Sequence, residues 1–298
     1  MYSSWKVCAI LFGGVFALSA SAIFVKLAEA PSSVIAFYRL RLAALVLLPF
    51  LLGSRQCRKE VTAIDKKQWG RILAAGLCLA LHYVLWFESL RFTSTASSTV
   101  LVCLQPLFSL ALERILLKKR ARPLALAGCA VALCGCFVIG FGDFQISGMS
   151  LLGDVLALVA AAVIAVYFFV GQKVRQEVSA VTYSVLGYFT SAAALLVYTL
   201  LLGESFVGYS GQTWRSFLGL AVICTIGGQF VFNLLLKKVP ASAVTMSILG
   251  EPIGTCILAY WILHETIGAQ QFAGIVVIFA GLVMFFVEPK KSTLERKK

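Results

Sequence analysis

Ten apolar runs of helix length follow one another along the chain, each closed by a short polar or charged stretch. They cover Val7–Val25, Val34–Leu52, Trp69–Leu90, Thr95–Leu116, Leu124–Phe141, Leu151–Val170, Val181–Leu202, Phe217–Leu236, Ala241–Leu263 and Phe272–Val287. A bilayer core asks for about 20 apolar residues per helix. The pattern therefore predicts ten membrane spans, and the short connections predict one bundle without a soluble domain. The longest linker, Gly53–Gln68, is charged. Two spans are interrupted, the fourth by Gln105-Pro106 and the ninth by Glu251-Pro252. Proline removes a backbone donor and frees a carbonyl, and a carboxylate at membrane depth marks a functional site.

These interruptions correspond. A shift of 146 positions places Pro252 on Pro106, Glu251 on Gln105, Lys237 on Arg91, Gly274 on Gly128 and Gly281 on Gly135. The chain reads as two copies of one unit, residues 1–146 and 147–298, within one membrane domain. Each copy holds an odd number of spans, so the second enters the membrane from the opposite side. Inverted repeats with broken helices are characteristic of secondary transporters, whose site lies near the midplane between the copies. The predicted fold is an all-α integral membrane protein with ten transmembrane helices as two inverted five-helix repeats.

Charge fixes the expected orientation. Of the 26 Lys and Arg, only Lys26, Arg91 and Arg215 fall in one set of loops, and Arg39 and Arg41 lie within the second span. The rest fall in the other set, which includes both termini and the tail Lys290–Lys298. Basic loops stay cytoplasmic, so the chain is expected as a multi-pass inner-membrane protein with both termini inside. The first run has helix length and only Lys6 before it, and is read as a span rather than a cleaved leader.

Composition agrees. Hydrophobic types make up 60%, charged types 13%, and mean hydropathy is +0.92. Average soluble domains are roughly half apolar and a quarter charged. The net charge of +13 forms no continuous basic face, so nucleic acid is not expected as a partner. The nine cysteines are scattered through apolar runs without a CxxC, and no metal or other cofactor is expected. No Walker loop or nucleophile elbow supports a pump driven by ATP or a hydrolase.

Several short motifs carry a resemblance. They are Ala36-Phe37-Tyr38-Arg39, the Pro106 helix, Leu152-Gly153-Asp154, Val239-Pro240-Ala241-Ser242, Glu251-Pro252 and Leu263-His264-Glu265. In this order and spacing the chain resembles the EamA branch of the drug/metabolite transporter superfamily over essentially its whole length. The resemblance implies a ten-helix inner-membrane carrier for small organic solutes, working by alternating access around a central cavity. Family members often carry Trp-Gly or Trp-Ala in the first and sixth spans. Here Ser19-Ala20-Ser21 and Ala160-Ala161-Ala162 stand near those places, where small residues either widen the cavity or tighten packing. Lys118-Lys119 ends the first copy where the family usually shows Gly-Glu.

The candidate substrate-binding residues are Glu251, Arg39, His82, Trp86, Tyr83, Gln105, Gln229, Asn233 and Tyr167, with Pro106 and Pro252 as helix interruptions. Glu251 is either a substrate-contacting or protonatable carboxylate, or a cap for backbone freed by Pro252. Arg39 offers a planar fork for a carboxylate or phosphate, or pairs internally with Glu88, Glu113 or Glu251. Arg41, two positions on, should point elsewhere. His82 and Trp86, one turn apart, suit an aromatic wall; Trp86 and Glu88 equally suit the outer interface. Gln229 and Asn233 share a face and either bind solute or join helices. Asp154 is read as an interfacial helix-start residue. The fifth and tenth spans, with matched glycines, are placed at the periphery, packing on each other or joining a weak homodimer.

The resulting expectation is a carrier for an amino acid, amine or nucleoside-like solute, with proton coupling an option. A low-selectivity exporter is the main alternative. An intramembrane enzyme using His82 and Glu251 and a membrane scaffold are the others.

Overall fold

The computed structural model describes residues 5–93, 95–140, 148–264 and 268–287. Glu265 and the basic tail from Lys290 lie outside them. The described chain is helical: α1 Trp5–Leu27, α2 Ser32–Gly53, α3 Arg55–Ala63, α4 Lys66–Phe92, α5 Thr95–Val102, α6 Gln105–Leu116 and α7 Pro123–Gly140 make up the first half. The second half contains α8 Gly148–Val174, α9 Ala180–Leu201, α10 Gly211–Gly219, a π-helical segment Leu220–Phe230, α11 Val231–Leu235, α12 Ala241–Ile248, α13 Glu251–Leu263 and α14 Ala269–Phe286. Among the described residues, nine stretches are long and apolar enough to cross a membrane, and the shorter apolar helix Pro123–Ile139 occupies the place of the fifth span.

The fourth span is two helices, α5 and α6, and the ninth is α12 followed by α13. Each second helix begins at the residue before its proline, which sits in the first turn where a missing N–H breaks no hydrogen bond. The eighth span is α10, the π segment and α11 in continuity. Polar residues at the loops start the helices: Asp65, Ser179 and Ser210 accept backbone N–H groups from Gln68, Thr182 and Thr213 at 2.6, 3.2 and 3.2 Å.

The charged linker is more ordered than its composition suggests. It contains α3, whose Glu60 carboxylate accepts the Ser179 N–H at 3.0 Å and the Thr182 hydroxyl at 2.8 Å. Burial pushes the Glu60 carboxyl up, but these hydrogen bonds outweigh it and hold the group below its ordinary value. The linker helix is thereby fastened to the start of α9.

The helix pairing follows an exchange of halves. The α4–α8 contact (third with sixth span) matches α1 with the π segment (first with eighth). The contact of α1 with α13 matches that of α8 with α6. The pairs α2–α9 and α7–α14 map onto themselves, and α6–α12 joins the two broken spans. Single residues obey the same rule. His82 hydrogen-bonds the Ala160 carbonyl at 3.0 Å, and 146 positions away from each, a Cβ on Gly228 would stand 3.0 Å from the Gly14 carbonyl.

The α7–α14 pair is sealed by its glycines. A Cβ on Gly128 would lie 2.6 Å from the Gly281 carbonyl, and one on Gly135 would lie 2.6 Å from the Ile278 nitrogen. Backbones approach this closely only where side chains are absent. The glycine faces of both helices are thus occupied by each other within the chain. Large apolar side chains on the opposite face, Phe272 and Phe279 among them, point outward.

Candidate functional site

Arg39 organises the centre. It lies within a run of buried residues from Ser33 to Leu40 on α2, and only 4% of its surface is exposed. Its Nε donates to Thr225 Oγ1 at 2.9 Å, its Nη1 donates to Ser21 Oγ at 2.8 Å, and its guanidinium lies 5.2 Å from the Tyr83 ring centroid. One side chain therefore joins α1, α2, α4 and the π segment. Thr225 itself donates to the carbonyl of Leu220, five residues back, at 2.9 Å. That span matches the wide turn of a π-helix, a form that concentrates at functional sites.

Arg41 is exposed on the other face, with its guanidinium 5.5 Å from the Phe37 ring. The internal ion pair that sequence offered for Arg39 does not form. Glu88 accepts from Arg91 at 3.0 Å and from the Tyr198 hydroxyl at 2.9 Å. Glu113 accepts both the backbone N–H and the hydroxyl of Ser242 at 2.9 Å. Glu251 feels the charge of Arg39, but no ion pair joins them among the described residues. Instead, hydroxyls hold two of the Arg39 fork's nitrogens.

Glu251 opens α13 and is half-buried. Its carboxylate accepts no hydrogen bond from a described side chain or backbone group. Its carbonyl, at the helix break, accepts from the Ser19 hydroxyl at 3.0 Å. Thr255 Oγ1 donates back to the Ser19 carbonyl at 3.2 Å. A Cβ on Gly254 would clash with the Ser19 hydroxyl. The first-span serines thus hold the broken ninth span and Arg39 in place, and tighten packing. Sequence reading placed Ser19 and Ser21 near the cavity without seeing this role, and missed Thr225.

His82, Tyr83 and Trp86 stand together on α4. His82 and Trp86 are stacked, with centroids 6.1 Å apart and planes at 19°. Trp86 also stacks on Phe87 at 5.1 Å. Gln229, one turn beyond Thr225, is 5% exposed. Asn233 and Tyr167 are bonded to each other: the tyrosine hydroxyl donates to Asn233 Oδ1 at 3.0 Å, and Asn233 Nδ2 donates to Ser184 at 3.0 Å. Both are under 2% exposed, and their polar atoms join helices. Gln105, 5% exposed, begins α6 beside Pro106. Asp154 lies in the second turn of α8, and accepts from the Thr93 hydroxyl at 2.8 Å.

A cavity of about 170 Å³ opens at the C-terminal end of α4, one to two turns beyond His82, lined by Ser33, Glu88, Arg91, Tyr198 and Glu204. Glu88 belongs to it rather than to the Arg39 cluster. Among the described residues no group of three His, Cys, Asp or Glu could hold a metal ion.

A buried arginine, a half-buried glutamate, broken helices and an aromatic wall describe a polar centre in an apolar bundle. Comparison with known proteins gives that centre its context. The model of the EamA-like transporter family matches residues 5–141 and again 151–287, both ends displaced by the same 146 positions. The chain is 26% identical over 224 residues to the "Uncharacterized transporter YwfM" of Bacillus subtilis, covering 75% of each. It is 24% identical over 254 residues to the "Riboflavin transporter ImpX" of Fusobacterium nucleatum, covering 82% of this chain and 85% of that one. It is 28% identical over 225 residues to a "Probable amino-acid metabolite efflux pump" of Salmonella typhimurium, covering 71% and 74%. A crystal structure shares the fold with a TM-score of 0.79 at 17% identity, over 93% of this chain and 94% of that one. Two family matches spanning nearly the whole length, on an all-helical bundle with broken fourth and ninth spans, show that the chain belongs to the EamA-like transporter family and is a multi-pass membrane transporter rather than an enzyme.

Proposed function

We propose that the protein is a secondary carrier that binds a small organic metabolite between Arg39 and Glu251 and releases it to alternate sides of the cytoplasmic membrane. The observation that carries this reading is the pair of opposite charges left unpaired at the core. Two such groups close into an ion pair unless the surroundings hold them apart. Here Ser21 and Thr225 hold the guanidinium, and Glu251 stands at the break where α13 begins.

Burial along the ninth span supports one-sided access. Every residue from Ala241 to Gly250 is buried, whereas Glu251–Ile253 and Thr255–Ala259 are half-buried. The α12 half is closed, and its start is tied to Glu113 of α6. In this reading the units 1–146 and 147–298 rock against each other, and Glu251 takes a proton or a donor group of the solute. Both termini lie on the cytoplasmic side. The relatives named for riboflavin and for amino-acid metabolites move different solutes, so the solute follows from this site rather than from kinship.

Counterflow in vesicles of reconstituted protein tests the carrier. Metabolite-loaded vesicles should accumulate labelled solute, and both Arg39→Gln and Glu251→Gln should abolish accumulation while the protein stays folded. Arms with and without a pH gradient read proton coupling. Vesicles with no exchange of any solute would remove the reading.

A further inference from the structure

Six buried side-chain polar atoms find no hydrogen-bond partner among the described residues, and three of them are nitrogens: Arg39 Nη2, Trp86 Nε1 and Gln229 Nε2. All three can only donate. They come from three separate spans, of which α4 and the π segment both pack on α2, the helix that carries Arg39. The Arg39 guanidinium lies over Tyr83, next to His82, on which Trp86 stacks. Gln229 lies one turn from Thr225, which holds Arg39 Nε. The other three are the hydroxyls of Ser109, Tyr183 and Thr199, while Asn233 bonds Tyr167 and Ser184, Ser191 bonds Gly76 and Thr245 bonds Ala241. A buried donor without an acceptor loses its hydration for nothing, so three in one cluster call for an acceptor-rich ligand.

Resting on the carrier reading above, we propose that these three donors bind a carboxylate of the transported solute, with Arg39 as its counter-charge and Trp86 and Gln229 as positioning donors. The charge balance selects a carboxylate over a phosphate. The buried cations among the described residues are Arg39 and Arg175, and Arg175 is committed to the backbone carbonyls of Asn233 and Val178. A single guanidinium matches one negative charge. The Glu251 carboxylate sets the other end: among the described residues it accepts no bond, so the solute presents a hydrogen-bond donor to it, an ammonium or a hydroxyl. The solute class is a small amino or hydroxy carboxylic acid.

Matched ligands decide this. L-alanine, L-threonine, L-phenylalanine, lactate and 3-phenyllactate are each compared with their primary amides, and the amino acids also with their decarboxylated amines. The readouts are the thermal stability of the purified full chain and inhibition of counterflow. A ligand bound only by the folded state raises the melting temperature. At least one acid should bind, and its amide should bind about tenfold more weakly, the worth of one hydrogen bond to a charged group. Trp86→Phe keeps the ring and removes the N–H; Gln229→Leu keeps the shape. Each should weaken the acid about threefold to tenfold and leave its amide nearly unchanged. Amides or amines binding as tightly as their acids would overturn the assignment. So would an acid affinity untouched by both variants, or no binding by any acid. The two readings fail differently: without a carrier, acids bind but nothing exchanges, whereas with the wrong class, exchange proceeds for amides or amines.

Discussion

At the scale of single residues, hydroxyls decide what the charges do. Ser21 and Thr225 occupy two edges of the Arg39 fork, so the guanidinium is anchored without being neutralised. Ser19 places its hydroxyl between the Val15 carbonyl of its own helix and the Glu251 carbonyl in the first turn of α13. Ser19→Ala should remove this link between α1 and α13 and lower stability by about 1 kcal/mol, read as a lower melting temperature in detergent. Glu60 gives a pH dependence outside the membrane. Its folded-state value is lowered, so its contribution is complete above the ordinary carboxylate range and is lost as pH falls through the folded value. Wild-type melting temperature should drop on acidification below about pH 4, and Glu60→Gln should flatten that drop. An unchanged acid profile in the variant would show that the α3 fastening contributes nothing. Arg39 and Glu251 stand out in the sequence because charges in apolar runs are rare. Ser19 and Thr225 do not, because a serine or threonine in a helix has many neutral uses.

At the scale of elements, two kinds of irregularity build the site. The prolines of the fourth and ninth spans split them at positions readable from the sequence. The π segment from Leu220 to Phe230 was not readable, since its hydrophobic pattern is that of any buried helix. The start of α12 depends on Glu113, a carboxylate only 7% exposed that accepts two bonds from Ser242. Glu113→Ala should free that end of the ninth span and cost about 1.5–3 kcal/mol, visible as a melting shift of several degrees. The α7–α14 seam makes a separate prediction. Gly281→Leu places a side chain against the Ala132 backbone, and the helices must part. A loss of about 1–3 kcal/mol is expected, whereas Gly13→Leu on α1, where a Cβ meets nothing within 4 Å, should be nearly silent. A well-tolerated Gly281→Leu would place the two helices apart.

At the scale of the whole molecule, the exchange of halves constrains the design. The third and eighth spans face the sixth and first in matching contacts, and the broken spans meet at α6 and α12. Symmetry is kept in the packing and dropped in the chemistry: Glu251 answers to Gln105, and Arg39 to Val185. Orientation is testable on the full chain. On a cysteine-free background, Ser205→Cys should react with an impermeant maleimide from outside intact cells. Gln56→Cys should react only after permeabilisation. The reverse labelling would invert the proposed topology.

What the sequence determined alone was the part governed by solvent. Apolar length set the spans, loop charge set an orientation to test, and the 146-residue echo set two units, because lipid and water sort residues before any tertiary contact exists. The proposed site starts from the same sorting, since charge and proline are conspicuous in hydrocarbon. What only the tertiary structure decided was partnership. Whether Arg39 closed on a glutamate, whether Asn233 faced solute or Tyr167, and which donors stayed open depended on distances between spans far apart in the chain. Hydrogen bonds are short and directional, and periodicity along one helix carries no information about what stands across from it.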